Sequence, residues 1–264
     1  MMTERKRDKL AVELAQNYLL GLDKRITPSL LSKYLQPDPR PGSLPEIYEH
    51  ILESAQNADR VSGVIKGGVG KISNLKPVLC EFQPAAILKT YTAWEQVLDA
   101  IIGKFPKGKF RTAPNAIWPR FCRAILSAAN FLSGFQDAGS FYKFADLFDC
   151  DDRARLALPL ILASCIKGLG FALACDYIKE LGYPNYAKAD RQLIKIFMAL
   201  RLSASDDPYK VFCDIVRVAK HARATPYAVD KIFWLIGSGK FYKDGFSIGS
   251  QKEQFIKLAK RELR

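Results

Sequence analysis

The chain has 264 residues, 48% of them hydrophobic, with 40 Lys and Arg against 27 Asp and Glu and a net charge of +13. That apolar share suffices for one large domain or two coupled lobes with a substantial core, and it excludes a disordered tail. The basic residues recur along the whole length, so the excess reads as a distributed positive surface suited to a polyanion.

The opening "MMTERKRDKL" lacks the charged-then-apolar order of a signal peptide, and no stretch reaches the roughly 20 uncharged apolar residues that cross a bilayer. Six cysteines, at 80, 122, 150, 165, 175 and 213, are widely spread, with no pair at zinc-ribbon or cluster spacing. Several lie in apolar helical runs and are expected to be buried thiols. The two histidines, His50 and His221, stand far apart without carboxylate clusters, which argues against histidine acid–base chemistry and histidine metal sites. The expectation is a reduced, cytoplasmic, monomeric protein with no metal, no cofactor and no membrane partner.

In chain order, the apolar spacing is helical nearly everywhere. "RDKLAVELAQNYLLGL" comes first, and the Pro-rich link "LQPDPRPGSLP" over 35–45 follows. "SLPEIYEHILESAQ" resumes the period, with Ser43 and Pro45 as its start signal. "RVSGVIKGGVGKISNLKPVLCEFQP", 60–84, holds glycines at 63, 67, 68 and 70 and predicts a glycine loop or second hairpin turn. Its "GGVGK" is not a phosphate loop: that motif needs a glycine at 65 and a Ser or Thr at 72, and both positions are Ile. Lys66, Lys71 and the glycine amides there are candidate backbone contacts.

Helical spacing continues through "AWEQVLDAIIGKF", "WPRFCRAILSAANFLSGF", "ARLALPLILASCI", "ALACDYIKELG", "RQLIKIFMALRL", "PYKVFCDIVRVAKHA", "TPYAVDKIFWLIGSG" and "QKEQFIKLAKREL". Asp207–Pro208 and Thr225–Pro226 are start signals of the same kind. Alternation of period two is almost absent. The predicted fold is all-α, a two-lobed multi-helix bundle of about ten helices.

"CIKGLGFALACDYIKELGYPNYAKADRQLIKIF", 165–197, carries the densest signal. Gly168 and Gly170 flank Leu169, which can tuck inward and anchor the turn, and the helix that follows offers unpaired N–H groups to a phosphate oxygen beside Lys167. A plain glycine-capped helix turn accounts for the same residues. Asp190 lies 20 residues beyond Gly170 and opens the next helix. It returns to the mouth of the turn if the intervening helix runs back along the same face. A helix cap explains an aspartate there as well.

These residues resemble the helix-hairpin-helix DNA glycosylases, the superfamily of endonuclease III, 8-oxoguanine glycosylase and the alkyladenine glycosylases. "PLILASCIKGLGFALACDYIKELGY" followed by "AKADRQLIKIF" is similar to that family's Gly-x-Gly hairpin and the essential aspartate that follows at this separation. Upstream, "PRFCRAILSAANFL", "FYKFAD" and "DDRARLALPLIL" resemble the helices leading into it. The likeness covers about 90–200, strongest over 117–200. It implies three regions: a mainly helical lobe over 1–90, a helix-hairpin-helix core over 91–200, and helices over 201–264 that pack on the first lobe.

The resemblance implies Asp190 as the catalytic residue and Lys167, Gly168, Leu169, Gly170 and Ala172 as the DNA-binding hairpin. Bifunctional members carry a sugar-attacking lysine where this chain has Ala172, which implies hydrolysis without strand cleavage; Lys167 and Lys188 are the nearest amines. Many members have a histidine at the position of Gln192. No cysteine follows Cys213, so the C-terminal iron–sulfur cluster of some members is not expected.

The implied partner is double-stranded DNA containing a damaged base, a purine by preference. The base is extruded, and Asp190, kept ionised by the helix N-terminus, Lys188, Arg191 and Lys195, stabilises the oxocarbenium-like sugar and orients water. Trp234, Trp118, Tyr186 and Gln192 are the candidate base pocket. A DNA-binding module that uses the hairpin without the chemistry, and a helical scaffold for RNA or protein, remain open alternatives.

Overall fold

The computed structural model describes residues 2–58 and 61–263. Their order is α1 (Glu4–Leu22), α2 (Pro28–Tyr34), α3 (Leu44–Gln56), α4 (Val61–Val69), α5 (Pro84–Thr90), α6 (Trp94–Lys104) and α7 (Ile117–Leu132). There follow α8 (Ala138–Asp149), α9 (Ala157–Cys165), α10 (Phe171–Glu180), α11 (Arg191–Ala199), α12 (Pro208–Ala222) and α13 (Pro226–Ser238). A hairpin of β1 (Lys240–Phe241) and β2 (Phe246–Ser247) precedes α14 (Lys252–Glu262). The fold is all-α, as the periodicity predicts, and no helix among the described residues is long and apolar enough to cross a membrane.

Helices α2, α3, α12 and α13 start where a Ser, Thr or Asp cap stands ahead of an early proline. The Glu46 N–H donates to Ser43 Oγ at 3.4 Å and the Ser43 N–H donates back to Glu46 Oε2 at 3.0 Å. Asp207 accepts from the Lys210 N–H at 3.0 Å and Thr225 from the Ala228 N–H at 3.1 Å. Asp244 and Gly245, the latter at φ +70°, turn the β-hairpin, a dipeptide signal that helical periodicity overshadows.

Contacts divide the chain into two units, 1–38 with 182–264, and 39–181. The boundaries thus fall after Asp38, inside the Pro-rich link, and after Leu181, whereas the family resemblance implies boundaries at 90 and 200. The composition break at 35–45 separates cores; the glycine-rich 60–84 does not.

That glycine-rich stretch is also not a loop. Val61–Val69 is α4, followed by short 3₁₀ turns at Ile72–Leu75 and Cys80–Phe82. An added Cβ on Gly68 would sit 2.4 Å from Trp118 Cζ2, so a glycine here lets α4 lie directly against the indole. Tertiary packing overrules the low helical propensity of the segment.

Within 39–181, α7 is the central helix, packed against α3, α5, α6 and α9 and burying Trp118, Phe121, Ile125 and Leu132. The Tyr48 hydroxyl donates to the Ile125 carbonyl at 2.9 Å and pins α3 to it. Phe131, Phe135, Phe141 and Phe144 form an edge-to-face cluster with α8. Cys122 and Cys175 are buried thiols, and burial pushes Cys122 up to about 12; Cys150 and Cys165 are exposed.

Within the other unit, α1 packs against α12, α13 and α14. Asp8, 1% exposed on α1, accepts from Arg217 Nε at 3.1 Å and sits 2.8 Å from His221 Nδ1 on α12. A buried carboxylate is tolerable only with such partners. Tyr34 ties α2 to the hairpin: its hydroxyl donates to Asp244 at 3.0 Å and accepts the Lys243 N–H at 2.9 Å.

Candidate functional site

In 39–181, α9 ends because Ile166 is extended (φ −109°, ψ 110°). The Leu169 N–H donates to the Ile166 carbonyl at 3.1 Å, closing a four-residue turn with Gly168, φ +85°, at its third position. A type II turn requires that sign of φ there, which favours glycine. Ile166 and Leu169 are 0% and 1% exposed and anchor the turn in the core. The Lys167 N–H donates to Ser127 Oγ at 3.0 Å, fastening the turn to α7.

What faces outward is backbone. Lys167, Gly168 and Gly170 are exposed, and an added Cβ at either glycine would meet nothing within 4 Å. Gly170 caps α10 without a side chain. The N–H groups of Gly168, Gly170 and Ala172 donate to no acceptor among the described residues. Open donors at a helix N-terminus beside a lysine suit an anion. Arg120, absent from the sequence-based candidates, shares a small indentation with Gly168. Helical spacing in "WPRFCRA" could not tell that it adjoins the turn.

In the other unit, Asp190 is the N-cap of α11. Its Oδ1 accepts from the Gln192 and Leu193 N–H groups, both at 2.9 Å. Oδ2 accepts no hydrogen bond from the described residues. One oxygen orients the carboxylate and the other is available. The expectation that Lys188, Arg191 and Lys195 hold this group ionised is not what the surroundings do. Burial is the largest influence and raises its pKa, the negative charge of Asp230 adds to the rise, and the cap hydrogen bonds and Lys188 only partly oppose it. Arg191 and Lys195 are exposed.

Asp230, 2% exposed on α13, accepts from the Lys188 N–H at 2.8 Å and so fixes the segment leading to Asp190. Nothing in the one-dimensional pattern marks it: it lies 40 residues further along, in a helix apolar on nearly all sides. Gln192 lies against α13, where a Cβ on Gly237 would be 2.8 Å from its Oε1. Trp234 is half-buried, edge-on to Tyr242 at 5.8 Å, and Lys231 Nζ lies 5.9 Å from its ring while donating to the Tyr242 hydroxyl.

Two of the aromatic candidates are core. Trp118 is 1% exposed against Phe110 and Phe121, and Tyr186 is 0% exposed against Tyr183 and Phe212. Helical spacing alone cannot separate core rings from pocket rings. The base-pocket candidates divide between the units: Trp118 belongs with the turn in 39–181, whereas Tyr186, Gln192 and Trp234 belong with Asp190. No family model matches the chain, and no curated protein and no solved structure matches it at a significant level.

Proposed function

We propose that the protein is a helix-hairpin-helix DNA glycosylase that hydrolyses the N-glycosidic bond of a damaged base, a purine, in double-stranded DNA without cleaving the strand. The observation that carries the reading is the divided carboxylate of Asp190, with Oδ1 held by two backbone N–H groups and Oδ2 unpartnered among the described residues. A cap needs one oxygen; charge stabilisation needs the other fixed in direction.

In this reading, the open N–H groups of the 168–172 turn and the Lys167 ammonium hold a phosphate of the strand. The damaged base leaves the stack, its bond to C1′ breaks with the electron pair going to the base, and positive charge builds on the sugar. Oδ2 of Asp190 stabilises that charge. Water then adds through oxygen to C1′ as the carboxylate takes its proton, leaving an abasic site. A raised pKa suits the proton-accepting role. Ala172 has no amine, so no Schiff base forms at that position and the strand stays whole.

The test is a panel of duplexes bearing single alkylated, oxidised or deaminated bases, with strands resolved before and after alkali. Breakage only after alkali is the expected result and names the substrate. Release from none of them, together with salt-dependent duplex binding, would establish the binding module instead. A flat salt response unaltered by Lys167→Ala would remove the DNA reading altogether.

A further inference from the structure

Glycines inside a helix are destabilising relative to alanine. In α4, Gly68 has a reason, its packing against Trp118; Gly63 and Gly67 have none, since an added Cβ at either meets nothing within 4 Å. Four residues apart, they lie on one face of the helix, and both line a cleft of about 600 Å³. That volume lies within the range of small-molecule sites, roughly 300–1,000 Å³.

The opposite wall is residues 109–118. Phe110 contributes a half-buried ring, 4.8 Å centroid to centroid from Trp118. Trp118 also lines the cleft, and its buried indole N–H has no acceptor among the described residues. The exposed Asn115 offers an amide that can pair with a base edge, and Lys109 and Arg111 place two cations at the rim. All of these residues lie within 39–181.

We infer that the cleft between α4 and residues 109–118 binds one unpaired nucleotide, its base stacked on Phe110 in the slot left by Gly63 and Gly67 and its phosphate on Lys109 and Arg111. Base–aromatic stacking tolerates any base because each has a π-face, and each bound phosphate makes the affinity salt-dependent. The site uses neither Asp190 nor the 166–170 turn, so it goes beyond the glycosylase reading and survives its failure.

The experiment uses the full chain and a fluorescent single-stranded oligonucleotide of about eight nucleotides, a length in the range of single-strand sites, with one central 5-iodouracil. Gly67→Leu fills the slot while improving helix propensity, so the inference expects at least about a tenfold loss of affinity with a melting temperature equal to or above that of the parent. Asn115→Ala and the pair Lys109→Ala with Arg111→Ala are expected to weaken binding, the latter making the salt slope shallower by about 0.7 for each phosphate that is no longer neutralised. Ultraviolet cross-links should map to residues 63–67 or 109–118. Competition by a mononucleotide at matched concentration would assign the cleft to free nucleotides, and failure to compete would assign it to a strand. Parent-like binding by Gly67→Leu, or cross-links confined elsewhere, would overturn the inference.

Discussion

Two helix N-termini in this molecule solve the same problem in opposite ways. Both α10 and α11 begin with N–H groups that have no carbonyl partner within the helix. At α11 the Asp190 carboxylate fills the gap and takes both the Gln192 and Leu193 N–H groups. At α10 the cap is Gly170, which has no side chain, and the N–H groups of Gly168, Gly170 and Ala172 donate to no acceptor among the described residues. One terminus carries its own anion with an oxygen to spare; the other carries none. Glycine is an accepted N-cap, and the proposed function places a phosphate of the strand at this bare terminus.

The largest way to break this contrast is Asp190→Asn. Asparagine caps as well as aspartate, so the helix keeps its start while the charge is lost. A carboxyl whose pKa is raised in the fold stabilises it only below the ordinary aspartate range, and that contribution vanishes as pH rises through the raised value. At neutral pH the ionised group is therefore unfavourable for folding. Asp190→Asn should melt at or above the parent's temperature while base release falls by about 10² to 10³-fold in single-turnover assays. Unchanged release would end the catalytic assignment.

Gly168→Ala tests the turn itself. The space around Gly168 is open, so any cost comes from φ +85° alone, about 1–2 kcal/mol in denaturant unfolding. A loss near zero would mean that the turn relaxes into another type. Gly170→Asp then converts α10 into a copy of α11: the new cap should stabilise the fold by about 0.5 kcal/mol and weaken duplex binding about tenfold. Equal binding would show that no phosphate visits this terminus.

The smallest expected effect is on pH dependence. In the proposed function base release uses ionised Asp190, so its rate should fall on acidification through a pKa above the usual aspartate range. Asp230→Asn removes the neighbouring negative charge while keeping an acceptor for the Lys188 N–H, and the acid limb should move to lower pH. A limb that stays in place would mean that burial alone sets the value.

Much of the fold is legible in the sequence because helix formation leaves local marks. Period 3.6 in the apolar residues, and Ser43, Asp207 and Thr225 ahead of their prolines, act within a few neighbours of one another. Leu169 as the inward anchor of a glycine turn is equally local. The glycine-rich α4 is not legible, because its packing is non-local: Gly68 lies against an indole 50 residues away at Trp118, and Ile65 and Val69 are buried. That Trp118 and Tyr186 are buried is illegible for the same reason: spacing shows that a ring faces something, never what.

By itself, then, the sequence determined the helical class and the positive charge and marked a glycine turn around Leu169 and a helix start at Asp190, all of them consequences of covalent chemistry and near neighbours. Tertiary structure decided which oxygen of Asp190 is spare, the direction of its pKa through burial and Asp230, the boundary of the units after Asp38 and Leu181, and the slot beside Phe110. Each of these depends on desolvation or on groups brought together across tens of residues, and the free energy of such encounters belongs to the packed chain rather than to any segment of it.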